Sequence, residues 1–363
     1  MTTTRKDDHV RLAVAQHTEP APHAVAGAGH NPAQAANAFD DVRFVHHALA
    51  GIDREHIDLR THIAGHTWPT PLYINAMTGG SARTGEINRD LAIAARETGL
   101  AMATGSMSPY LKDPDTAATF TPVRTLNPDG FVMANLNPNA TPEQALRAVG
   151  LIGADALQIH LNTVQETVMP EGDRSFGHWP ANIEAITRTV GVPVIVKEVG
   201  FGLSGRTVER LADLGVAAAD VAGNGGTDFA RIENGRREHG DYAYLHGWGL
   251  STPAALLDAR SHGLPLLASG GIRHPLDAAR ALALGARAVG VSGVFLTTLV
   301  TRGTDALIEQ ITTWLDQLAA LMTLLGAPTP TALSSCDLQL VGNLHTFATF
   351  ADRSPTPPQE ATR

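Results

Sequence analysis

Eight short apolar segments recur along the chain, and stretches with helical spacing separate them. The segments span residues 71–76, 100–104, 131–135, 156–160, 193–198, 219–222, 265–269 and 288–292. Runs of four to six apolar residues that alternate with helical patterns are typical of buried parallel strands. The pattern therefore predicts eight successive strand–helix units.

The segments between the predicted strands carry apolar residues at helical spacing. The predicted helices span residues 85–98, 142–152, 182–189, 204–214, 252–261 and 275–284. Ser204 and Ser251 are suitable N-caps, and Gly99 and Gly153 stand where a glycine commonly ends a helix. No Gly-x-Gly-x-x-Gly follows the first strand, which disfavours an open doubly wound sheet. We predict an α/β fold, a closed (β/α)8 TIM barrel.

The barrel pattern has extensions at both ends of the chain. Residues 1–16 form a charged N-terminal arm, and residues 17–38, almost entirely small or polar, predict a flexible linker. The barrel domain occupies residues 39–350, and residues 351–363 predict a disordered tail. A long amphipathic segment over residues 304–325 predicts a C-terminal helical extension with apolar faces available for contact.

Composition narrows the function classes. A net charge of −9 provides no general basic surface, so neither nucleic acid nor an anionic membrane is a predicted partner. No apolar run is long enough to span a bilayer, and the N-terminal residues lack the apolar core of a signal peptide. A single cysteine, Cys336, excludes an intrachain disulfide. These features predict a cytoplasmic location.

The loops after the first three predicted strands are rich in Gly, Ser, Thr and Asn. They contain Ala76, Met77 and Thr78, then Ser106, then Asn135. Such loops let backbone approach a ligand closely and supply neutral hydrogen bonds, which suits a planar polar heterocycle. A tight turn is the plainer interpretation of any one of these loops. In a barrel, however, the loops after the strands carry the chemistry.

Glycine-rich backbone also follows the seventh and eighth strands. Backbone in this place, beside a helix N-terminus, typically binds phosphate in this fold. Gly271, Ser292 and Gly293 therefore predict a phosphorylated cofactor, and Arg273 would add a charge-assisted contact to its phosphate.

Lys197 ends the fifth predicted strand, near the barrel axis. An unpaired ammonium is costly to bury there, so it should face a carboxylate such as Glu198 or an anionic ligand. In the second case its position resembles that of the lysine in several barrel flavoenzymes, which stabilises negative charge on a reduced flavin ring.

The densest set of polar side chains follows the fourth strand. His160 and Asn162 share one face of the strand end, and Gln165 and Glu166 follow in the loop. An imidazole, two amides and a carboxylate at one rim can orient an anionic substrate, relay a proton and hold Mg2+ through Glu166. A lone histidine at a strand end is more often structural, but the density of this set favours a functional interpretation over the structural one.

The N-terminal arm places Arg5, Lys6 and His9 beside Asp7 and Asp8. The arm is either a solvated charged tail or a lid whose basic residues close over a diphosphate and exclude water.

Together these segments resemble the type 2 isopentenyl-diphosphate isomerases. The resemblance extends from Arg5 to about Gly342. It rests on RKDDH (5–9), INAMTGGS (74–81), HLNTVQETVMPEGDRSF (160–176), VKEVGFG (196–202), GGTDFARIENGRR (225–237) and ASGGIRHPLDAARALALGARAVG (268–290).

The resemblance implies conversion of isopentenyl diphosphate to dimethylallyl diphosphate by a 1,3-allylic proton shift. It implies reduced FMN, NADPH as its reductant, Mg2+, and a homo-tetramer or octamer. Gln165, His160 and Asn162 would serve catalysis, and Glu166 would bind the metal. Arg5, Lys6, His9, Ser106 and Gln165 would bind substrate. FMN would be held by Ala76, Met77, Thr78, Ser106, Asn135, Lys197, Thr227, Gly271, Arg273, Ser292 and Gly293.

The chain departs from that family at a few positions. The loop after the second strand has Ser108 in SMSPYL where related sequences often have Arg. Ala222 stands where serine is common, and Asn224 where arginine is common.

Two alternative functions stay open. One is an FMN-dependent oxidase or dehydrogenase of 2-hydroxy acids on the same barrel, although only His274 follows the arginine of SGGIRHP as a candidate base. The other is a barrel that binds FMN without catalysis.

Overall fold

A computed structural model of the protein describes residues 2–18 and 37–351, with the backbone alone for residues 2–5, 350 and 351. Eight parallel strands form a closed barrel in chain order, and the pairing of the last of them with the first closes it. The predicted TIM barrel is therefore confirmed. Residues 19–36 of the predicted linker and 352–363 of the predicted tail lie outside the described residues.

The strands are β1 Val42–Phe44, β2 Thr61–Ile63, β3 His66–Trp68, β4 Leu72–Ile74, β5 Ala101–Ala103, β6 Val132–Leu136, β7 Ala156–Leu161, β8 Val194–Glu198, β9 Ala218–Asp220, β10 Leu266–Ser269, β11 Ala288–Val291 and β12 Leu338–Leu340. The α-helices are α1 Thr2–Thr18, α2 Ala82–Thr98, α3 Ser108–Lys112, α4 Pro122–Thr125, α5 Pro142–Ile152, α6 Thr163–Val168, α7 Trp179–Thr189, α8 Gly205–Asp213, α9 Phe229–Asn234, α10 Thr252–Ala259, α11 Pro275–Ala283, α12 Gly293–Arg302, α13 Thr304–Leu325 and α14 Gly342–Ala351.

The helix ends follow from local sequence. Ser204 and Ser251 cap α8 and α10 by accepting backbone N–H groups, as predicted. Gly99 ends α2 with a φ of 70°, in the left-handed region that glycine adopts without steric cost. The predicted terminal helix is confirmed as α13, which packs against α2 and α11.

The strands' period of two divides the barrel interior into layers. Towards the amino ends of the strands, the inward side chains form an apolar cluster that includes Tyr73, Ile195 and Leu267. The next inward side chains, two residues closer to the carboxyl ends of these strands, are polar. They are Asn75, Asn135, Gln158, Lys197, Asp220 and Ser269. The barrel is therefore apolar at one end and polar at the other.

A hairpin closes the apolar end of the barrel. Strands β2 and β3 pair antiparallel and bring Trp68 against Tyr73 and Phe131, with ring centroids 5.6 and 5.0 Å apart. Trp68 is fully buried. The polar end, at the carboxyl ends of the strands, is left for a ligand.

Candidate active site

A cavity of about 760 Å³ lies at the carboxyl end of the barrel. Loops from all around the barrel and helix α1 line it, as expected for the functional face of this fold. Its volume lies within the range of cofactor and substrate sites, roughly 300–1,000 Å³.

Every predicted site residue whose side chain is described lines this one cavity. They are Lys6, His9, Ala76, Met77, Thr78, Ser106, Asn135, His160, Asn162, Gln165, Glu166, Lys197, Thr227, Gly271, Arg273, Ser292 and Gly293. Arg5 lies in α1, and its side chain is outside the described residues. The fold thus brings together side chains from segments almost 290 residues apart in sequence.

Helix α6 arranges the polar set that follows β7. Asn162 precedes the helix, so Gln165 and Glu166, three and four residues later, lie on the same face. The Asn162 amide donates to Glu166 Oε1 at 2.8 Å, and the Asp173 backbone N–H donates to Glu166 Oε2 at 2.8 Å. Glu166 is nearly buried, and its carboxylate is therefore fixed at the cavity wall.

Glu233 is a site residue that the sequence interpretation missed. It is fully buried on α9, and its Oε1 accepts the Gln165 Nε2–H at 2.9 Å and lies 3.1 Å from His9 Nε2. Burial raises its pKa, but hydrogen bonds and charge from His9, with those from Gln165 and Arg236, outweigh burial and lower the pKa to about 2. Glu233 thus joins the N-terminal helix to Gln165 as an anion.

Helix α1 is docked across the cavity mouth by a series of contacts. Ser81 Oγ donates to Asp7 at 2.8 Å, and Gln16 exchanges two hydrogen bonds with the Asp228 backbone. His17 Nε2 lies 3.2 Å from Thr227 Oγ1. The arm is therefore a helix in contact with the body, and its orientation directs Lys6 to the cavity.

His160 on β7 and Lys197 on β8 are neighbours in the register of these two paired strands. Burial, with the charges of Lys197 and Lys6, lowers the pKa of His160 to about 3, so the imidazole is neutral near pH 7. Burial also lowers the pKa of Lys197, and the charges of Asp220 and Glu198 partly offset this.

Glu198 does not pair with the Lys197 ammonium. Its carboxylate accepts the backbone N–H groups of Val199, Gly200 and Phe201, while Lys197 Nζ donates to the Glu198 carbonyl. The Glu198 carboxylate is therefore not the partner of Lys197, but Asp220, its register partner on β9, is a second carboxylate whose charge raises the Lys197 pKa. A charge directed at a ligand stays a prediction.

Glycine-rich backbone forms the far wall of the cavity. Gly225, Gly270 and Gly271 have φ values of 111°, 88° and 78° and bring the loops after β9 and β10 together. Thr78 Oγ1 is buried and has no hydrogen-bond partner, so it offers a polar atom to a ligand. Gly105 approaches the Thr78 backbone so closely that an added Cβ would lie 2.4 Å from it.

Arg273 has partners other than the predicted phosphate. Its guanidinium contacts Asp40 at 2.6 Å and Asp277 at 2.9 Å, and these contacts outweigh burial and raise its pKa. The side chain lines the cavity, but its charge is matched by two carboxylates. These ion pairs tie α11 to residues 38–41, and a charge-assisted contact of Arg273 to a phosphate stays a prediction.

Lys112 is a second residue that the sequence interpretation missed. It ends the short helix α3, four residues after Ser108, and it is exposed at the cavity edge. It places a cation in the region where related sequences often have arginine.

A family model described as FMN-dependent dehydrogenase matches residues 22–113 and 111–340. Solved structures with the same barrel include a soluble mutant of the (S)-mandelate dehydrogenase of Pseudomonas putida, with a TM-score of 0.62 at 20% identity, covering 84% of this chain and 88% of that one. A mandelate oxidase bound to (S)-2-phenylpropionate gives a TM-score of 0.60 at 20% identity, with the same coverage of 84% and 88%. At this identity the likeness shows the fold alone.

Far more similar proteins carry the name isopentenyl-diphosphate delta-isomerase. The one from Kitasatospora griseola is 66% identical over 345 residues, which is 95% of this chain and 91% of that protein. The one from Streptomyces sp. (strain CL190) is 63% identical over 349 residues, 96% and 92% of the two chains. The one from Latilactobacillus sakei subsp. sakei (strain 23K) is 44% identical over 345 residues, 94% and 95% of the two chains.

Proposed function

The chain belongs to the FMN-dependent, type 2 isopentenyl-diphosphate delta-isomerases, and we propose that it performs a 1,3-allylic proton shift between isopentenyl and dimethylallyl diphosphate with reduced FMN and Mg2+. One observation carries the proposal: the cluster of His160, Asn162, Gln165 and Glu166 faces the same cavity as the glycine-rich wall that fits a flavin.

The residues of the far wall would hold FMN. Backbone at Gly271 and Gly293, with Thr227 and Ser292, would receive its phosphate, and Thr78, Ser106, Asn135 and Lys197 would lie along the ring. When bound and reduced, FMN supplies an electron-rich surface beside the substrate alkene and a site for proton exchange. The loops and α1 cover the cavity, which reduces access of water to that surface.

The rim residues would hold the diphosphate. No group of three metal-ligating side chains occurs within residues 2–18 and 37–351, so the protein part of a Mg2+ site is small. This fits Mg2+, which often takes one or two carboxylates and completes its shell with phosphate and water. Glu166 would supply the carboxylate, while Lys6, His9 and Lys112 would balance the charge of the diphosphate.

Gln165 would orient the alkene rather than act as the principal acid, because an amide is a feeble acid. Its Nε2–H is committed to Glu233, which fixes the side chain at the cavity wall. Neutral His160 would accept or donate a hydrogen bond at the same wall.

Other features of the proposal rest on family resemblance or, for the location, on composition and the N-terminal sequence. NADPH as reductant, a cytoplasmic location and a homo-tetramer or octamer all stay predictions. Within the described residues, no helix is both long enough and apolar enough to cross a membrane.

Anaerobic incubation of the purified protein with FMN, NADPH, Mg2+ and isopentenyl diphosphate should yield dimethylallyl diphosphate. Omission of NADPH or Mg2+ in parallel reactions tests each requirement. Absence of the allylic product in the complete mixture, from protein that binds FMN, would reject the isomerase proposal.

The candidate base for the alternative oxidation of 2-hydroxy acids, His274, does not lie at the cavity. His274 caps α11, where its side chain accepts the Asp277 N–H, and it is not among the described residues that line the cavity. Lactate and mandelate should therefore leave bound FMN oxidised in an anaerobic spectrum.

Replacing both Arg5 and Lys6 by alanine should raise the KM for isopentenyl diphosphate at least roughly tenfold, since even one charge-assisted hydrogen bond contributes about 1.5–3 kcal/mol and about 1.4 kcal/mol corresponds to tenfold. The difference in KM between the variant and the unmodified protein should shrink as salt concentration rises, because salt screens the attraction of Arg5 and Lys6 for the diphosphate. Initial rates at several salt concentrations measure it.

Arg11→Ala is the matched control for the arm, because Arg11 lies on the same helix, exposed and paired with Asp8. It should leave KM unchanged. Equal KM values for the double variant and the unmodified protein would contradict a substrate-binding role for the arm.

A further inference from the structure

Five inward-facing side chains form one continuous hydrogen-bond chain across the barrel. Asn75 Nδ2 lies 3.0 Å from Asp220 Oδ2, and Gln158 Nε2 lies 3.2 Å from Asn75 Oδ1. Asn135 Nδ2 lies 2.8 Å from Gln158 Oε1, and His160 Nδ1 lies 2.8 Å from Asn135 Oδ1. The chain therefore runs from a buried carboxylate to the imidazole at the cavity.

The chain has one direction. Tyr73, Ser269 and the Ala222 N–H all donate to the Asp220 carboxylate, so the carboxylate acts as an acceptor. Asn75 therefore turns its NH2 group to Asp220 and its oxygen to Gln158. The same orientation repeats at Gln158 and then at Asn135. The last amide thus presents its oxygen to His160 Nδ1, which favours a proton on that nitrogen, and the Leu136 backbone carbonyl is a further acceptor beside the imidazole.

Several hydrogen-bond donors surround the Asp220 carboxylate, so both of its oxygens act as acceptors. Tyr73 Oη donates at 2.6 Å, Ser269 Oγ at 2.9 Å and the Ala222 backbone N–H at 3.2 Å. Asp220 is fully buried and pairs in register with Lys197. The carboxylate is thus both hydrogen-bonded and close to a cationic side chain.

We propose that Asp220 is a positioning residue that acts through Asn75, Gln158 and Asn135 to hold His160 as the Nδ1–H tautomer. Nε2 then carries a lone pair and serves as a hydrogen-bond acceptor in the cavity. The tautomer of a neutral histidine is set by the bond that its other nitrogen makes. The functional consequence rests on the proposed contact of His160 with the substrate.

A second contact also acts on Asn75. Its Oδ1 accepts the Ala76 backbone N–H at 2.8 Å, which favours the same amide orientation without Asp220. The experiment must therefore separate the carboxylate from this local bond.

Asp220→Asn makes that separation. The Ala222 backbone N–H can only donate, so the amide oxygen of the new asparagine stays at the Oδ1 position and its nitrogen takes the Oδ2 position. The Tyr73 and Ser269 hydroxyls can rotate to accept from this nitrogen. The Asn75 side-chain amide, in contrast, must turn over to present its oxygen. Reversal would pass along the chain and place the proton of His160 on Nε2. Because the hydrogen bond from the Ala76 N–H to Asn75 opposes this reversal, we expect a mixture of the two His160 tautomers. We also expect kcat to fall roughly tenfold, because the loss of a residue that orients a metal-binding histidine typically costs 10–100-fold.

Ring-15N histidine NMR of the FMN-loaded protein reads the tautomer directly, and His160→Gln identifies the signals among the sixteen histidines. Tyr73→Phe is the matched control, because it removes an equally buried bond to Asp220 but lies outside the chain. It should leave the His160 signals in place.

Gln158→Glu in the Asp220→Asn background should restore the Nδ1–H tautomer, since the new carboxylate lies nearer to His160 and again accepts from Asn135. Gln158→Leu cuts the chain without changing Asp220 and should give a tautomer mixture even if the Asp220 variant does not fold. An unchanged tautomer in both Asp220→Asn and Gln158→Leu, or in whichever of them folds, would overturn the proposal. The NMR result does not depend on turnover, so it is separate from the test of isomerase activity.

Discussion

Glu166→Gln should reduce isomerisation at limiting Mg2+ by about 100-fold, while FMN still binds with its normal affinity. The proposed Mg2+ site has one fixed carboxylate, and an amide of the same size removes its charge. Loss of a partner at a metal site typically costs 10–100-fold in affinity or activity, and this change removes a direct ligand. Initial rates over a Mg2+ titration and FMN fluorescence quenching measure the two quantities independently.

The local geometry explains why flavin should be spared. Glu166 contacts Asn162 and the Asp173 N–H, both on the β7 side of the cavity, whereas the glycine-rich wall belongs to the loops after β9, β10 and β11. Glutamine keeps one acceptor oxygen, so one of the two contacts is lost and a small local rearrangement follows.

Glu171→Gln is the control for the loss of one negative charge from the cavity without the loss of the proposed metal ligand. Glu171 lines the same cavity five residues later, but it is exposed and paired with Arg236 at 2.8 Å. A specific metal role for Glu166 predicts that only its variant shifts the Mg2+ titration. Equal shifts in both variants, or loss of FMN from the Glu166 variant, would show that the metal assignment is wrong.

The barrel could be predicted because its signals are local. Apolar runs of four to six residues marked all eight strands, and Ser204 and Ser251 marked helix starts that the structure confirms. Boundaries shifted by a few residues, as at β9, which ends at Asp220 instead of continuing to Ala222. Beyond Asp220 the backbone turns out of the sheet, and Ala222 has a φ of 37°.

The missing parts of the site depend on contacts between distant segments. Gln165 meets Glu233, 68 residues away, and Arg273 meets Asp40, 233 residues away. Glu233 lies within a quoted family motif, but nothing local distinguishes it from an exposed helical glutamate. Arg273 was predicted from its neighbours in sequence, which include Asp277 but not Asp40, the second carboxylate that contacts it.

The mandelate enzymes show why fold alone would have misled. They share this barrel at 20% identity, and the matching family model is described as FMN-dependent dehydrogenase. A common barrel hosts many reactions, so the distinction lies in the side chains at the rim. Here the rim has Glu166 and Gln165 in the cavity, with His274 outside its lining.

Lys197→Met should lower the two-electron midpoint potential of bound FMN by roughly 40–90 mV and strongly slow isomerisation. Lys197 is nearly buried in the cavity wall, and its ammonium makes no ion pair with Glu198. A unit charge near an anionic ring contributes on the order of 2–4 kcal/mol at the effective dielectric of a protein site. For a two-electron couple, about 1.4 kcal/mol corresponds to roughly 30 mV. Dye-equilibrated spectral titration of the reconstituted protein measures the potential.

Lys112→Met separates this effect from general loss of positive charge in the cavity. Lys112 is exposed at the edge, so water screens its charge, and its removal should alter the KM for the diphosphate more than the potential. Lys197→Arg keeps the positive charge, so the midpoint potential of FMN should stay close to that of the unmodified protein.

If Lys197→Met left the midpoint potential unchanged, the Lys197 side chain would be a neutral amine in the folded protein. The burial that lowers its pKa would then outweigh the charges of Asp220 and Glu198. In that case Lys197 would act only as a hydrogen-bond donor, and the electrostatic role proposed for it would be wrong.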